Sequence, residues 1–209
     1  DSTKIQKTLL MQDHSLEESV DIQAKHMGIV SKIIPMSNED SDIKIITDIG
    51  ELEFHEFLIK HQCEPEVKDI IFSEVAPAGT VIDTIKNSDA VIIGPSNPVT
   101  SILPILSISG VKEALKSTYV VAVSPIIGND SVSGPASKFM KALGIEVSSL
   151  GVAELYKDFL DVMVIDEKDE NLKDSIGEII NKVIITNTIM NSSDVKINLA
   201  KKILEDIDI

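Results

Sequence analysis

Arginine and tryptophan are absent from the sequence, cysteine occurs once, and aromatic residues make up 3% of its 209 positions. Without Arg there is no guanidinium fork to grip a phosphate or carboxylate. Any bound anion must be held by backbone N–H groups, hydroxyls or a few Lys. The 19 positive residues, all Lys, are set against 34 Asp and Glu, a formal net charge of −15. Such a chain repels nucleic-acid backbones and anionic lipid surfaces, which argues against general binding to either. A lone thiol, Cys63, excludes a disulfide framework and a thiolate zinc site, and fits a reducing cytoplasm. No apolar run approaches the roughly 18 residues of a membrane span.

What is abundant is Ile, Val and acid. Hydrophobic residues reach 43% and charged residues 25%, ordinary globular usage sized for a single α/β domain over residues 1–209. Short apolar runs predict strands over 29–34, 43–47, 52–59, 70–72, 90–93, 119–124, 162–165 and 183–185. The last four are nearly continuous Val and Ile, as parallel strands covered on both faces require. Helical periodicity falls over 16–26, 80–87, 99–108, 111–117, 135–143, 152–158, 172–181 and 194–206. Strands regularly separated by helices imply βαβ units. The expected class is therefore α/β, a Rossmann-like doubly wound and mainly parallel sheet. Residues 43–59, turning at Asp48-Ile49-Gly50, read as an antiparallel hairpin inserted beside it. The acidic cluster Asp166–Glu170 reads as a solvated strand-to-helix loop.

In open α/β sheets, ligands sit at the carboxyl ends of the strands. Gly94-Pro95-Ser96-Asn97-Pro98, running on to Ser101, follows one such strand. Two prolines fix its backbone and Gly94 allows a tight turn, while the helix behind it offers N–H donors. Ser96 and Asn97 either bind a ligand there or cap the helix. Ser124-Pro125-Ile126 follows the next strand, and Ser133-Gly134-Pro135 opens a helix whose first turn carries Lys138. A cation in that position opposes the helix dipole. It is either solvated or compensated by a ligand such as a phosphate. Asp158 and Asp161 form a third candidate, either an exposed acidic turn or a site for a sugar, base or metal.

Negative findings narrow the chemistry further. His14, His26, His55 and His61 show no ligand spacing, and Cys63 has no activating neighbour in sequence. The glycine signatures GxGxxG and GxxxxGK[ST] are missing, and no hydrolase triad is visible. Residues alone therefore reach an acidic α/β protein with a phosphate-type cleft near residues 94–138.

The segments GPSNPVTSILPIL (94–106), VVAVSPIIG (120–128), SGPASKFMKALGIEVSSLGVAELYKDFLD (133–161) and VIDEKD (164–169) closely resemble the 2-phospho-L-lactate transferase family of coenzyme F-420 biosynthesis. Ile33-Ile34-Pro35-Met36-Ser37 and the pair Thr47 and Gly50 with Phe54-His55-Glu56-Phe57 fit its middle region. The resemblance implies an enzyme that moves a 2-phospholactyl or phosphoenolpyruvyl group. The donor would be lactyl-2-diphospho-5′-guanosine and the acceptor the deazaflavin Fo, giving F-420-0 and GMP. It also implies Mg²⁺, a homodimer and a cytoplasmic location.

Under that resemblance the donor-site residues are Gly94, Pro95, Ser96, Asn97, Pro98, Ser101, Ser124, Pro125, Ile126, Ser133 and Gly134. Ser96 and Asn97 are expected on the guanosine diphosphate. Pro35, Met36 and Ser37 are expected by the deazaflavin ring, and Lys138 is expected to act in catalysis. The family's first strand and Gly-rich loop have no counterpart before Asp1, so the chain is expected to be the C-terminal two-thirds of a larger one. The alternative is a non-enzymatic, sugar-nucleotide-binding regulator of the same fold. Such proteins carry a GPGSLYTS-like loop in place of Gly94-Pro95-Ser96-Asn97-Pro98.

Overall fold

The unbroken Val/Ile runs become strands β4 (Ala90–Ile93), β5 (Tyr119–Val123), β8 (Val162–Ile165) and β9 (Lys182–Ile185) in a computed structural model. The structure describes residues 8–131 and 134–207. These four strands form one parallel sheet in the order β4-β5-β8-β9. Alternation sends successive side chains to opposite faces. Val120, Ala122, Met163 and Ile165 join one buried cluster with Phe139, Met140, Val152 and Tyr156. Val121, Val123, Val162, Val164 and Ile184 join another, closed by Leu199 and Ile203. Burial on both faces is why these strands are apolar at every position.

The first face is covered by α5 (Ala136–Ala142) and α6 (Ser149–Tyr156), the second by α8 (Ser193–Ile207). Helices α2 (Val81–Lys86), α3 (Leu103–Leu106), α4 (Val111–Leu115) and α7 (Lys173–Gly177) complete the crossovers. Before the sheet lies α1 (Leu16–His26), opened by a reciprocal capping box between Ser15 and Glu18. The capping hydrogen bonds hold the Glu18 carboxyl below its ordinary range. Two short strands, β6 (Ile126–Ile127) and β7 (Asp130–Ser131), form a small antiparallel ribbon. Among the described residues no helix is long and apolar enough to cross a membrane.

The hairpin is present as β1 (Ile43–Thr47) and β2 (Gly50–Glu53). A third strand, β3 (Val67–Phe72), pairs antiparallel on the other side of β1, so the sheet order is β2-β1-β3. Gly50 turns the hairpin at φ 122°, and the Thr47 hydroxyl donates to its carbonyl at 2.7 Å.

Three expectations differ from the structure. Residues 52–59 do not continue as strand; β2 stops at Glu53 and Glu56–Lys60 form a π-helical turn. The cause is packing: Phe54 and Phe57 both meet Phe139, at ring-centroid distances of 6.2 and 5.6 Å. A spacing of three residues reaches one partner from a helical turn, whereas a strand would turn the two rings to opposite faces. Residues 29–34 are not a strand either. Gly28 leaves α1 at φ 70°, the Ile29 amide returns to the Ala24 carbonyl, and Val30 is wholly exposed. The helix expected over 99–108 is divided into a π-helical turn, Pro98–Ile102, followed by α3. Pro104 near the start of α3 lacks the N–H that regular continuation requires.

Candidate functional site

The carboxyl ends of the parallel strands open into a cleft of about 480 Å³. Pro95, Ser96 and Asn97 enter it after β4, and Ser124 and Pro125 after β5. Gly134, Pro135 and Ala136 come from the start of α5, while Thr188, Ile189, Met190 and Asn191 come from the loop after β9. Four stretches distant in sequence thus share one concavity. Among the described residues its lining holds hydroxyls, side-chain amides, backbone and apolar atoms, and no charged side chain. Such a surface suits a ligand that brings its own charge and a planar apolar part.

The Gly94–Asn97 turn is rigid. The Ser96 amide bonds the Gly94 carbonyl at 2.8 Å, and Asn97 Oδ1 accepts from the Val99 and Thr100 amides at 3.0 and 3.2 Å. Asn97 is therefore a helix cap, and it takes up two amides that were free for an anion on sequence grounds. Its Nδ2 and the Ser96 hydroxyl make no hydrogen bond to another described residue, so the loop's donors toward the cleft are side-chain groups.

Comparison with known proteins settles the family. The family described as 2-phospho-L-lactate transferase CofD matches residues 2–203. The chain belongs to the 2-phospho-L-lactate transferase family. A 2-phospho-L-lactate transferase of Methanothermobacter thermautotrophicus is 53% identical over 98% of this chain, which spans 67% of that relative's length. That of Methanocaldococcus jannaschii is 48% identical over 97% of the chain and 67% of its own length. That of Methanococcus maripaludis strain C7 is 47% identical over 91%, of which the chain covers 63%. In fold, the chain resembles a crystal structure of a UPF0052-family protein from Bacillus halodurans, with TM-score 0.60 and 14% identity. That match covers 92% of this chain and 68% of that protein.

Of the site residues expected from the family resemblance, Pro95, Ser96, Asn97, Ser124, Pro125 and Gly134 line the cleft. Gly94, Pro98 and Ser101 shape the loop from behind; Pro98 is buried and the Ser101 amide bonds the Asn97 carbonyl. Ile126 is fully buried in the core and is not in the lining; its backbone bonds the Ser124 and Ser149 hydroxyls behind it. Ser133 lies outside the described residues. Pro35, Met36 and Ser37 are not in the lining: Met36 packs on the core and its carbonyl accepts from the Ala78 amide, while Ser37 is buried and caps Glu39.

Lys138 is held outside the cleft. Its ammonium donates to the carbonyls of Cys63 and Glu64 at 2.5 and 2.8 Å and sits 5.8 Å from the Phe57 ring centroid. The compensation that a first-turn cation needs comes from this loop, and Lys138 is absent from the cleft lining. Asp161 is engaged away from the cleft as well. It accepts from the Val120 amide at 2.8 Å, at the amino ends of the strands and opposite the cleft.

The 188–191 loop is what sequence reasoning missed. The signal was its place after the last parallel strand, where the same carboxyl-end rule applies. Mg²⁺ does not fit the described lining, which offers neutral oxygens and no carboxylate. Among the described residues no group of His, Cys, Asp or Glu could hold a metal ion.

Beside the Lys138 contact, burial pushes the Cys63 thiol above its ordinary pKa of 9.0, outweighing the nearby ammonium that lowers it. A raised thiol pKa means less thiolate at neutral pH. Iodoacetamide is expected to alkylate Cys63 more slowly than free cysteine at pH 8, with the rate still climbing beyond pH 9.0. A rate that levels off below that pH contradicts this.

Proposed function

We propose that this chain holds the guanine-nucleotide part of a 2-phospho-L-lactate transferase site. The donor is lactyl-2-diphospho-5′-guanosine, or its phosphoenolpyruvyl analogue, and the acceptor is Fo. In the transfer the terminal ribityl oxygen of Fo forms a bond to the distal phosphorus while the bond to the GMP oxygen breaks. The ribityl hydroxyl loses its proton and GMP departs with the bonding pair. The products are F-420-0 and GMP.

The observation that carries this reading is the meeting of Ser96-Asn97 and Pro125 with Gly134–Ala136 in one uncharged cleft. All three lie in segments that carry the family resemblance in the sequence, within the family match over residues 2–203. In a chain of net charge −15, a cleft whose described lining has no carboxylate spares a diphosphate direct repulsion. The lining residues orient the donor and exclude water from it, so their contribution is positional. No base for the ribityl proton is among them. Enzyme activity, the cytoplasmic location and a homodimer belong to the same proposal, the last testable by sedimentation.

Calorimetric titration with GDP tests the site directly. Asn97→Ala is expected to weaken GDP binding by about 1–3 kcal/mol through unpaired polar groups. Losing the cap should also lower stability by about 1 kcal/mol. Asn97→Asp separates the two effects, because Asp caps equally well but loses the amide donor and adds a negative charge. It should melt like the parent and bind GDP poorly. Equal GDP affinity in all three proteins sinks the assignment.

A further inference from the structure

The turn after β8 (Glu167–Leu172, a 3-10 helix) and the Asp166 that caps it are the unexpected part of the molecule. Asp166 and Asp169 are 3% and 2% exposed, although acids are seldom buried without partners. Both are fully engaged, and each engages a different wall of the cleft. Asp166 Oδ2 accepts from the Thr188 amide at 2.9 Å and from its hydroxyl at 3.1 Å, and Oδ1 accepts from the Lys168 amide at 3.2 Å. Asp169 Oδ1 accepts from the Gly128 amide at 2.7 Å, and Oδ2 lies 2.9 Å from the Ser149 hydroxyl.

Ser149 continues the second chain inward. It is fully buried, 2.9 Å from the Ser124 hydroxyl and 3.0 Å from the Ile126 carbonyl. Each hydroxyl has one proton to give. The Asp169 carboxyl oxygen is the strongest acceptor in reach, so Ser149 donates to it and accepts from Ser124. Ser124 in turn accepts from the Ile126 amide at 3.1 Å, and its own amide is bonded to Val164. The Ser124 donors therefore point into the protein, and Ser124 serves the cleft as a fixed wall.

We infer that Asp166 and Asp169 are positioning residues of the nucleotide cleft. From one turn, Asp166 fixes the Thr188–Asn191 wall and Asp169, through Ser149 and Gly128, fixes the Ser124–Pro125 wall. The inference rests on the nucleotide reading above. A turn that reaches both walls sets the width of the opening between them. Neither residue touches the ligand.

The test uses Asp166→Asn and Asp169→Asn, in which the oxygen accepting one donor becomes an amide nitrogen. Hydrogen exchange is measured at the Thr188 and Gly128 amides, and GDP affinity is measured well below each melting temperature. Asp166→Asn should speed exchange at Thr188 alone and Asp169→Asn at Gly128 alone, by about tenfold. Each should weaken GDP by about fivefold or more. If either variant fails to fold, Thr188→Val and Ser149→Ala remove single hydroxyls from the same chains and should weaken GDP by about threefold.

GDP affinity within twofold of the parent in every folded variant overturns the positioning role while leaving the nucleotide reading intact. Exchange rising equally at both amides in both variants also overturns it, because the turn then acts only on global stability. A parent that binds no GDP overturns the nucleotide reading and this inference with it.

Discussion

Gly151→Ala is expected to cost about 3 kcal/mol or more, at the upper end of overpacking penalties. A Cβ at this position would lie 2.0 Å from the Glu146 carbonyl oxygen and 2.8 Å from its carbonyl carbon. Both atoms belong to backbone, so no rotamer change relieves the clash. The neighbourhood is also tied down: the Ser148 hydroxyl caps α6 on the Gly151 amide at 3.0 Å, and the Ser148 amide bonds the Glu146 carbonyl at 3.0 Å. Any shift that makes room for a methyl group pulls on this cap and on Ser149, the next residue, which reaches Asp169. The variant should therefore unfold at lower denaturant with an unchanged slope, as expected when stability alone falls. Gly177→Ala is the matched control. Nothing lies within 4 Å of its added Cβ, and a helical Ala replaces a Gly, so stability should hold or rise by about 0.5–1 kcal/mol. Equal denaturation midpoints for the two variants would refute the clash argument.

The elements that could be read from sequence are those whose pattern has one physical solution. An unbroken run such as Tyr-Val-Val-Ala-Val at 119–123 is tolerated only where helices cover both faces, and β5 is buried at four of its five positions. Gly50 marks the hairpin because its φ of 122° is open to little else. The failures came where one pattern has two solutions. Phe54-His55-Glu56-Phe57 fits an extended strand end as well as a helical turn, and the ring of Phe139, far along the chain, decides between them. Ile29–Ile34 has strand composition but pairs with no strand among the described residues, because Gly28 turns the chain back onto α1.

The site divides in the same way. Ser96 and Asn97 were legible because prolines and a preceding buried strand leave few alternatives for their placement. Asp166 and Asp169 were not, since a run of acids in sequence ordinarily faces water. Donors remote in sequence, the Thr188 amide and hydroxyl, the Gly128 amide and the Ser149 hydroxyl, make their burial tolerable. Met190 and Asn191 carry no composition signal at all, and geometry alone brings them to the cleft.

Lys138→Ala is expected to lower stability by about 2 kcal/mol, the scale of hydrogen bonds made by a charged donor. The loop it grips has two consecutive non-glycine residues in the left-handed region, Gln62 at φ 50° and Cys63 at φ 60°. Such residues persist only when the surroundings hold them. The Cys63 amide is bonded to the Phe57 carbonyl at 3.0 Å and the Glu64 amide to His61 at 2.9 Å, while Lys138 supplies the hold on the carbonyl side. It therefore joins the start of α5, whose first residues form one wall of the cleft, to the end of the π-helical turn. Lys138→Met separates charge from side-chain bulk, because an unbranched apolar chain is kept while the ammonium and its contacts to the two carbonyls and the Phe57 ring are lost. Both variants should lose stability by similar amounts, with Met slightly less affected, and both should bind GDP within about twofold of the parent, roughly 0.4 kcal/mol. The opposite result, unchanged unfolding with GDP binding lost, would return Lys138 to the phosphates. The geometry opposes that outcome: a side chain already spanning two carbonyls and an aromatic ring must break those contacts before it can turn toward the cleft.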